Sequence, residues 1–258
     1  MGRKPRSKSA YGIYHIMWRG ANGQEIFHDD EDRMRFLGTF LKCKIQAEMT
    51  VYAWCLMSNH VHLLVREGNE DISLTMKRIG VSFALYYNWK YRTQGHLFQD
   101  RFKSENVESR RYFLTVVRYI HQNPVKAGMV NQVDQWPWSS CLGYYNEEVY
   151  PERLLDTGLA LKMFSTDLAT ARATFKVFNE RKTSDQCLDE TAYRRRLSDE
   201  EARVEIKKVL GSIEIPQVKS LPKVSRNHLL RKVKAIEGIS QRQAARILGV
   251  SPNFVYKA

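Results

Sequence analysis

Two short runs of this chain carry residue types that can do chemistry on a phosphodiester. The first is Asn59-His60-Val61-His62-Leu63-Leu64-Val65. In an extended strand, residues i and i+2 project to the same side, so His60 and His62 point together while Val61 and Leu63 point the other way. Two neutral imidazoles so close together make a bidentate site for a divalent metal. The second run is Arg118-Tyr119-Ile120-His121-Gln122-Asn123-Pro124-Val125. On a helix, Tyr119 and Asn123 are one turn apart and share a face. A tyrosine oxygen can attack phosphorus and conserve the bond energy in a covalent phosphotyrosine. A free phenol, with its pKa near ~10, is a poor nucleophile at neutral pH. A cation on the two histidines would polarise the phosphate and offset its charge, and Asn123 can add an oxygen ligand. Taken singly, the motifs also fit ordinary packing: core or surface histidines, a core tyrosine, and a proline that interrupts the helix ladder.

The flanking pattern supplies the elements that must position these groups. Residues 11–19 (YGIYHIMWR) are rich in β-formers and predict a first strand. Residues 29–48 open with acids, which suit the positive end of a helix dipole, and place Met34, Phe36, Leu37, Phe40 and Leu41 at helical spacing. Residues 50–57 and 60–66 read as two strands of a hairpin around Ser58-Asn59. Residues 72–91 read as a second helix with Leu74, Met76, Ile79, Phe83 and Tyr87 as its apolar stripe. Residues 102–107 are a short strand, and residues 110–127 a third helix ended by Gly128. The order βαββαβ plus a helix is that of a split βαβ, ferredoxin-like α+β fold: an antiparallel sheet with two helices on one face. Its other face is left for the added, catalytic helix or a substrate.

The bulk composition narrows the partners. The 258 residues carry 41 Lys and Arg against 28 Asp and Glu, a formal net charge of +13, with 43% hydrophobic residues. That fits a folded protein with a field that attracts polyanions, nucleic acid first. No apolar run reaches membrane-spanning length, so a membrane partner is not expected, and MGRKPRSKSA reads as a basic arm (Arg3, Lys4, Arg6, Lys8) rather than a secretory leader. The four cysteines form no C-x-x-C pair, which speaks against a zinc ribbon and for thiols in a reducing cytoplasm.

Trp136-Pro137-Trp138 is expected to close a first domain of residues 1–145. Residues 146–222 read as a helical connector with a helix over 198–210. Residues 223–258 hold eight Lys or Arg against one Glu and form a third region with a helix–turn–helix pattern. Its helices are expected over 226–237 and 240–248, with Gly249-Val250-Ser251 as the turn. Ser251 then caps a last helix that has Pro252 in its first position. Ala244, Ile247, Leu248 and Val250 would form its small core. The last helix would enter the major groove and bring Asn253 and Tyr256 towards base edges or phosphates; with Arg242 and Arg246, exposed on the helix before it, they are the candidate DNA contacts, the alternative being a basic helical hairpin used for packing.

Three runs together, AWCLMSNHVHLLV, GHLFQDRFKS and RYIHQNPVKAGMV, resemble the single-tyrosine transposases of the HUH class, and more narrowly the REP-associated tyrosine transposases. The resemblance spans roughly residues 10–145. It implies that His60 and His62 bind magnesium or manganese, that Tyr119 is the nucleophile, and that Asn123 completes the metal shell; relatives often carry glutamine at that last position. It further implies nicking and rejoining of single-stranded DNA at hairpin-forming repeats through a 5′-phosphotyrosine, without ATP, by a cytoplasmic, nucleoid-associated monomer or homodimer. Arg19, Asn22, Arg101 and Lys103 lie near the motifs and are candidates for holding DNA phosphates. His15, in the first strand, and His121, beside the tyrosine, could each lie near the site, with packing or surface roles the favoured reading. The main alternative is a domesticated protein that binds such repeats without cutting them. A replication initiator or relaxase, or a hydrolase using water, ranks lower.

Overall fold

The computed structural model describes residues 7–183, 185, 187, 188, 197, 199–236 and 238–258. Arg3, Lys4 and Arg6 of the expected basic arm lie outside these residues. So do Ser198 and Glu237, each at the end of an expected helix. The chain divides into two compact units, Met1–Asp189 and Glu190–Ala258.

In the first unit the chain runs β1 (Ile13–Arg19), α1 (Asp30–Gln46), β2 (Thr50–Leu56), β3 (His60–Arg66), α2 (Ile72–Tyr91), β4 (Lys103–Asn106) and α3 (Arg110–Lys126). The four strands make one sheet in the order β2-β3-β1-β4, and every neighbouring pair is antiparallel. This is a mixed α/β architecture around a four-stranded antiparallel sheet. Each helix starts where its sequence can satisfy the free N–H groups. The Asp29 carboxylate accepts from the Asp32 backbone N–H at 3.0 Å, Asp71 does so for Ser73 at 2.8 Å, and the Ser109 hydroxyl for Tyr112 at 3.1 Å. Gly128, at φ 69°, turns the chain away just past α3 in the left-handed conformation that glycine adopts without strain.

The two faces of the sheet are packed differently. Even positions of β1 (Tyr14, Ile16, Trp18) and odd positions of β3 (Val61, Leu63, Val65) enter an apolar core with Phe36, Phe40 and Phe83 from α1 and α2. Met34 and Leu74, expected in the apolar stripes of those helices, instead stay 40% and 49% exposed. Gly80 sits where Trp18 crosses α2: a Cβ there would meet the Trp18 ring at 1.8 Å. The opposite face is covered by α3, and a β-bulge in β2 between Val51 and Ala53 turns both Tyr52 and Ala53 towards it.

The rest of the first unit departs from the expected connector. Residues 136–140 run beside β2, with Leu56 N–H donating to Trp138 and Ser140 N–H to Trp54, each at 3.0 Å, which covers an otherwise open edge. Next come α4 (Cys141–Tyr144), α5 (Gly158–Leu161) and α6 (Leu168–Glu180). Tyr144 stacks on Phe175 at 4.4 Å, and both join the core under α3. The side of the sheet left for a third helix or a substrate is therefore filled by α3, as one of those alternatives has it, and by α4 to α6 beside it. They form this core from segments too short and too polar to be read as core helices alone.

The second unit comprises α7 (Asp199–Leu210), a 3₁₀ turn at Ile215–Ser220, α8 (Lys223–Lys234), α9 (Gln241–Leu248) and α10 (Pro252–Lys257). Ala202, Ile206, Leu230, Val233, Leu248 and Val255 form its core. Helix α8 begins and ends three residues earlier than the expected span of 226–237. Ser240 caps α9, Gly249 ends it at φ 65°, and Pro252 opens α10. Ala244, Ile247 and Leu248 are buried as expected, and Val250 is half-buried. Among the described residues no helix is long and apolar enough to cross a membrane.

Candidate active site

Strand alternation and pairing register bring the chemistry together. In β3 the positions not used by the apolar core are His60, His62 and Leu64. In β1 the matching side presents Ile13, His15, Met17 and Arg19, with Met17 opposite His62 and Arg19 opposite His60. Directly paired residues share a face, so these side chains look towards α3. That helix lays Tyr119 over them. The Tyr119 ring centre is 5.7 Å from that of His62 at 80° and 5.8 Å from His15 at 69°, and the His60 and His62 rings are 5.0 Å apart. Tyr119 is 2% exposed and His62 fully buried, while His60 is half-buried.

Asn123 and Lys126 follow Tyr119 one and two turns later on the same helical face. The Asn123 amide nitrogen donates to the Tyr119 carbonyl at 2.9 Å. The Lys126 ammonium lies 4.4 Å from the Tyr119 ring centre, a cation–π contact. The i+7 spacing of Lys126 from Tyr119 is visible in the sequence alone. His15 lies in the same cluster, the less favoured of its two readings: its Nε2 is 3.1 Å from His62 Nδ1. His121 faces elsewhere, with Nδ1 on Asn179 at 3.0 Å and Nε2 on Ser140 at 2.9 Å.

Burial sets the charge state of these imidazoles. Desolvation pulls His15 down to about 3 and His121 to about 4. It also holds His62 well below the usual histidine range, helped by repulsion from His60, His15 and Lys126. The rings are thus neutral at physiological pH, the form a metal ligand requires. His62 Nε2 and His15 Nδ1 are buried with no hydrogen-bond partner. Orphaned nitrogens of this kind are rare unless a ligand completes them. Among the described residues no group of three or more His, Cys, Asp or Glu side chains is arranged around a cation site. A cation on His60 and His62 would therefore draw its other ligands from amide oxygen, water or substrate, and the donor set fits such a partly open site.

The candidate DNA contacts separate into three places. Arg19 ends β1 opposite His60, and Lys103 starts β4 opposite Met17, so both belong to the histidine side of the sheet. Asn22 is exposed in a tight turn at φ 55°. Arg101 instead lines a cleft of about 730 Å³ with Trp18, Gly80 and Phe102. In the second unit Arg242 and Asn253 are exposed, as is Tyr256 at 70%. Arg246 is held by Asp199 at 2.7 Å.

Residues 9–123 match the family described as "Transposase IS200 like". A REP-associated tyrosine transposase of Escherichia coli is 29% identical over 102 residues, covering 39% of this chain and 59% of that protein. A relative from Haemophilus influenzae is 29% identical over 112 residues, 39% of this chain and 63% of that one. The matches thus span about three fifths of the length of these relatives. A solved structure of a REP-associated tyrosine transposase bound to a REP hairpin superposes with a TM-score of 0.50 at 23% identity, covering 61% of this chain and 93% of the other; it supports the fold.

Proposed function

For a chain that resembles the REP-associated tyrosine transposases and matches the IS200-like transposases over residues 9–123, we propose a metal-dependent endonuclease and transposase acting on single-stranded DNA at hairpin-forming repeats. The observation that carries this reading is the packing of the Tyr119 ring against His62 at 5.7 Å, with His60 beside it.

In this reading the Tyr119 oxygen attacks the scissile phosphorus, the P–O3′ bond breaks, and the 3′-hydroxyl leaves with a proton. The 5′-phosphate stays on Tyr119 until another 3′-hydroxyl attacks, releases the tyrosine and rejoins the strand. A magnesium or manganese ion on His60 and His62, with Asn123 as a further ligand, supplies polarisation of the phosphate. Tyr119 and Asn123 keep their relative positions because one helix carries both. The Lys126 charge over the Tyr119 ring offsets negative charge that develops on the phenol oxygen, and Arg19 and Lys103 hold flanking phosphates on the same side of the sheet.

The strand order β2-β3-β1-β4 within βαββαβ supports a ferredoxin-like nuclease domain with α3 as its added catalytic helix. The caps and turn around α9 and α10 support a helix–turn–helix that reads duplex DNA, with Asn253, Tyr256 and Arg242 towards the groove. A hairpin offers both substrates, a stem for this module and a single strand for the nuclease. The setting read for it is the bacterial cytoplasm, at the nucleoid. The non-cleaving alternative draws support from one feature, the near-complete burial of Tyr119, since a phosphate must reach that oxygen.

One assay separates the two. Labelled hairpin DNA incubated with protein and manganese is run on a denaturing gel. A slow, protease-sensitive band that needs manganese and disappears in Tyr119→Phe is expected. Binding with no such band in the wild type would establish the non-cleaving reading instead.

A further inference from the structure

The sheet face under α3 contains one polar contact that the proposed chemistry leaves unused, the His15–His62 pair. Its origin is the register between β1 and β3, which sets His15 opposite Leu64 and Met17 opposite His62. His15 and His62 are thereby diagonal neighbours on one face. Their facing nitrogens, His15 Nε2 and His62 Nδ1, are 3.1 Å apart, and both side chains are fully buried. At that distance one nitrogen carries a proton and the other accepts it.

Only two arrangements of the neutral pair satisfy this. In the first, His62 donates from Nδ1, His15 keeps its proton on Nδ1, and His62 Nε2 presents a lone pair. In the second, His15 donates from Nε2 and His62 keeps its proton on Nε2, where no cation can bind. Since His62 Nε2 and His15 Nδ1 both lack a protein partner, each arrangement leaves one buried N–H unsatisfied. Protein contacts therefore do not choose strongly between them. A cation at His62 Nε2 would. His60 is built in the same sense: its Nδ1 lies 2.7 Å from the Asn59 side-chain oxygen, an acceptor, which leaves Nε2 as the ligating nitrogen.

We propose that His15 is a positioning residue for the metal site: once a divalent cation takes the His62 Nε2 lone pair, His15 accepts the His62 Nδ1 proton and so keeps the ring oriented on the cation. The inference rests on the metal-site reading above and adds to it a proton shared between two strands. Partners of this type orient a ligand ring and raise its basicity, and their loss typically lowers metal affinity by about 10–100-fold. Glutamine at position 15 can return an acceptor near the place of Nε2, whereas leucine cannot.

Two measurements on the full-length protein without DNA test this. Manganese affinity is read from the free-ion electron paramagnetic resonance signal, with thermal melting as the folding control. His15→Leu should weaken binding about 10–100-fold, and His15→Gln should recover most of it. Nitrogen-15 NMR of the wild type saturated with magnesium should show His62 protonated at Nδ1 and not at Nε2, a readout that stands even if His15→Leu fails to fold. Equal manganese affinity in wild type and His15→Leu, with loss in His62→Ala, would overturn the role of His15 alone; a proton on His62 Nε2 in the magnesium form would remove that nitrogen as a ligand and overturn this inference together with the part of His62 in the metal site. If the wild type takes up no manganese beyond His62→Ala, the metal-site reading fails and this inference falls with it.

Discussion

The two faces of the first unit's sheet are built from alternate residues of the same strands and both are buried at their centres, yet they follow opposite rules. On the α1–α2 side, Val61, Leu63 and Val65 meet phenylalanines and Trp18 in an apolar core. On the α3 side, the intervening positions bring His15, His62 and Tyr119 into van der Waals proximity and leave buried ring nitrogens without partners. A fold selected only for stability would fill both faces in the same way, because an unsatisfied buried polar group costs about 1–3 kcal/mol. The cost is tolerated on one face, and that face carries the proposed chemistry.

Substitutions can sharpen or break this contrast. The largest effect is expected on the apolar face: Phe83→Ala, at a fully buried position, should cost about 3–5 kcal/mol by chemical denaturation. If it costs no more than a surface change, the apolar core is not what holds the sheet. The double change His15→Leu with His62→Leu should do the reverse on the other face. Because it removes both partners of a buried contact, stability should stay within about 1 kcal/mol of wild type while manganese-dependent nicking is lost. A stability loss as large as that of Phe83→Ala would make the histidines structural.

Acid should also act through the α3 side. His15 and His121 are held at about 3 and about 4 in the folded protein but titrate near ~6.5 when unfolded. The unfolded chain therefore takes up protons first as the pH falls. Stability is full above pH ~6.5 and declines below it by up to about 1.4 kcal/mol per pH unit for each histidine, until the folded value is reached. Melting curves between pH 7 and pH 5 should show this decline, and His121→Gln should flatten it. An unchanged slope would remove His121 from the account. The smallest effect is expected at a cap of the apolar face: Asp29→Ala should cost about 1 kcal/mol, read from the same melts, with nicking at permissive temperature unaffected.

What the sequence disclosed follows the reach of each pattern. The pairing of His60 with His62 comes from a two-residue period, and that of Tyr119 with Asn123 from one helical turn, so both were legible, as were the spans of β3 and α2 to the residue. The same helical rule extends to Lys126 over Tyr119, one turn further on. The approach of His15 to His62 depends on register between strands separated by α1 and β2, which no local period encodes. Likewise, the packing of α4 to α6 beside α3 rests on contacts such as Tyr144 on Phe175 and His121 on Asn179, made between segments that look unremarkable alone. Met34 and Leu74 show the converse: a local apolar pattern assigned them to a core that the tertiary arrangement did not extend to cover.

The central claim is that Tyr119 becomes covalently linked to DNA beside a metal-binding histidine pair. Protein reacted with hairpin DNA and manganese, digested with nuclease and protease and analysed by mass spectrometry, reports this directly. The account predicts a nucleotide-phosphate adduct on the peptide containing Tyr119, absent when manganese is withheld or when His60 and His62 are both replaced by alanine. Cleaved DNA with no adduct, or an adduct on a different tyrosine, would contradict it.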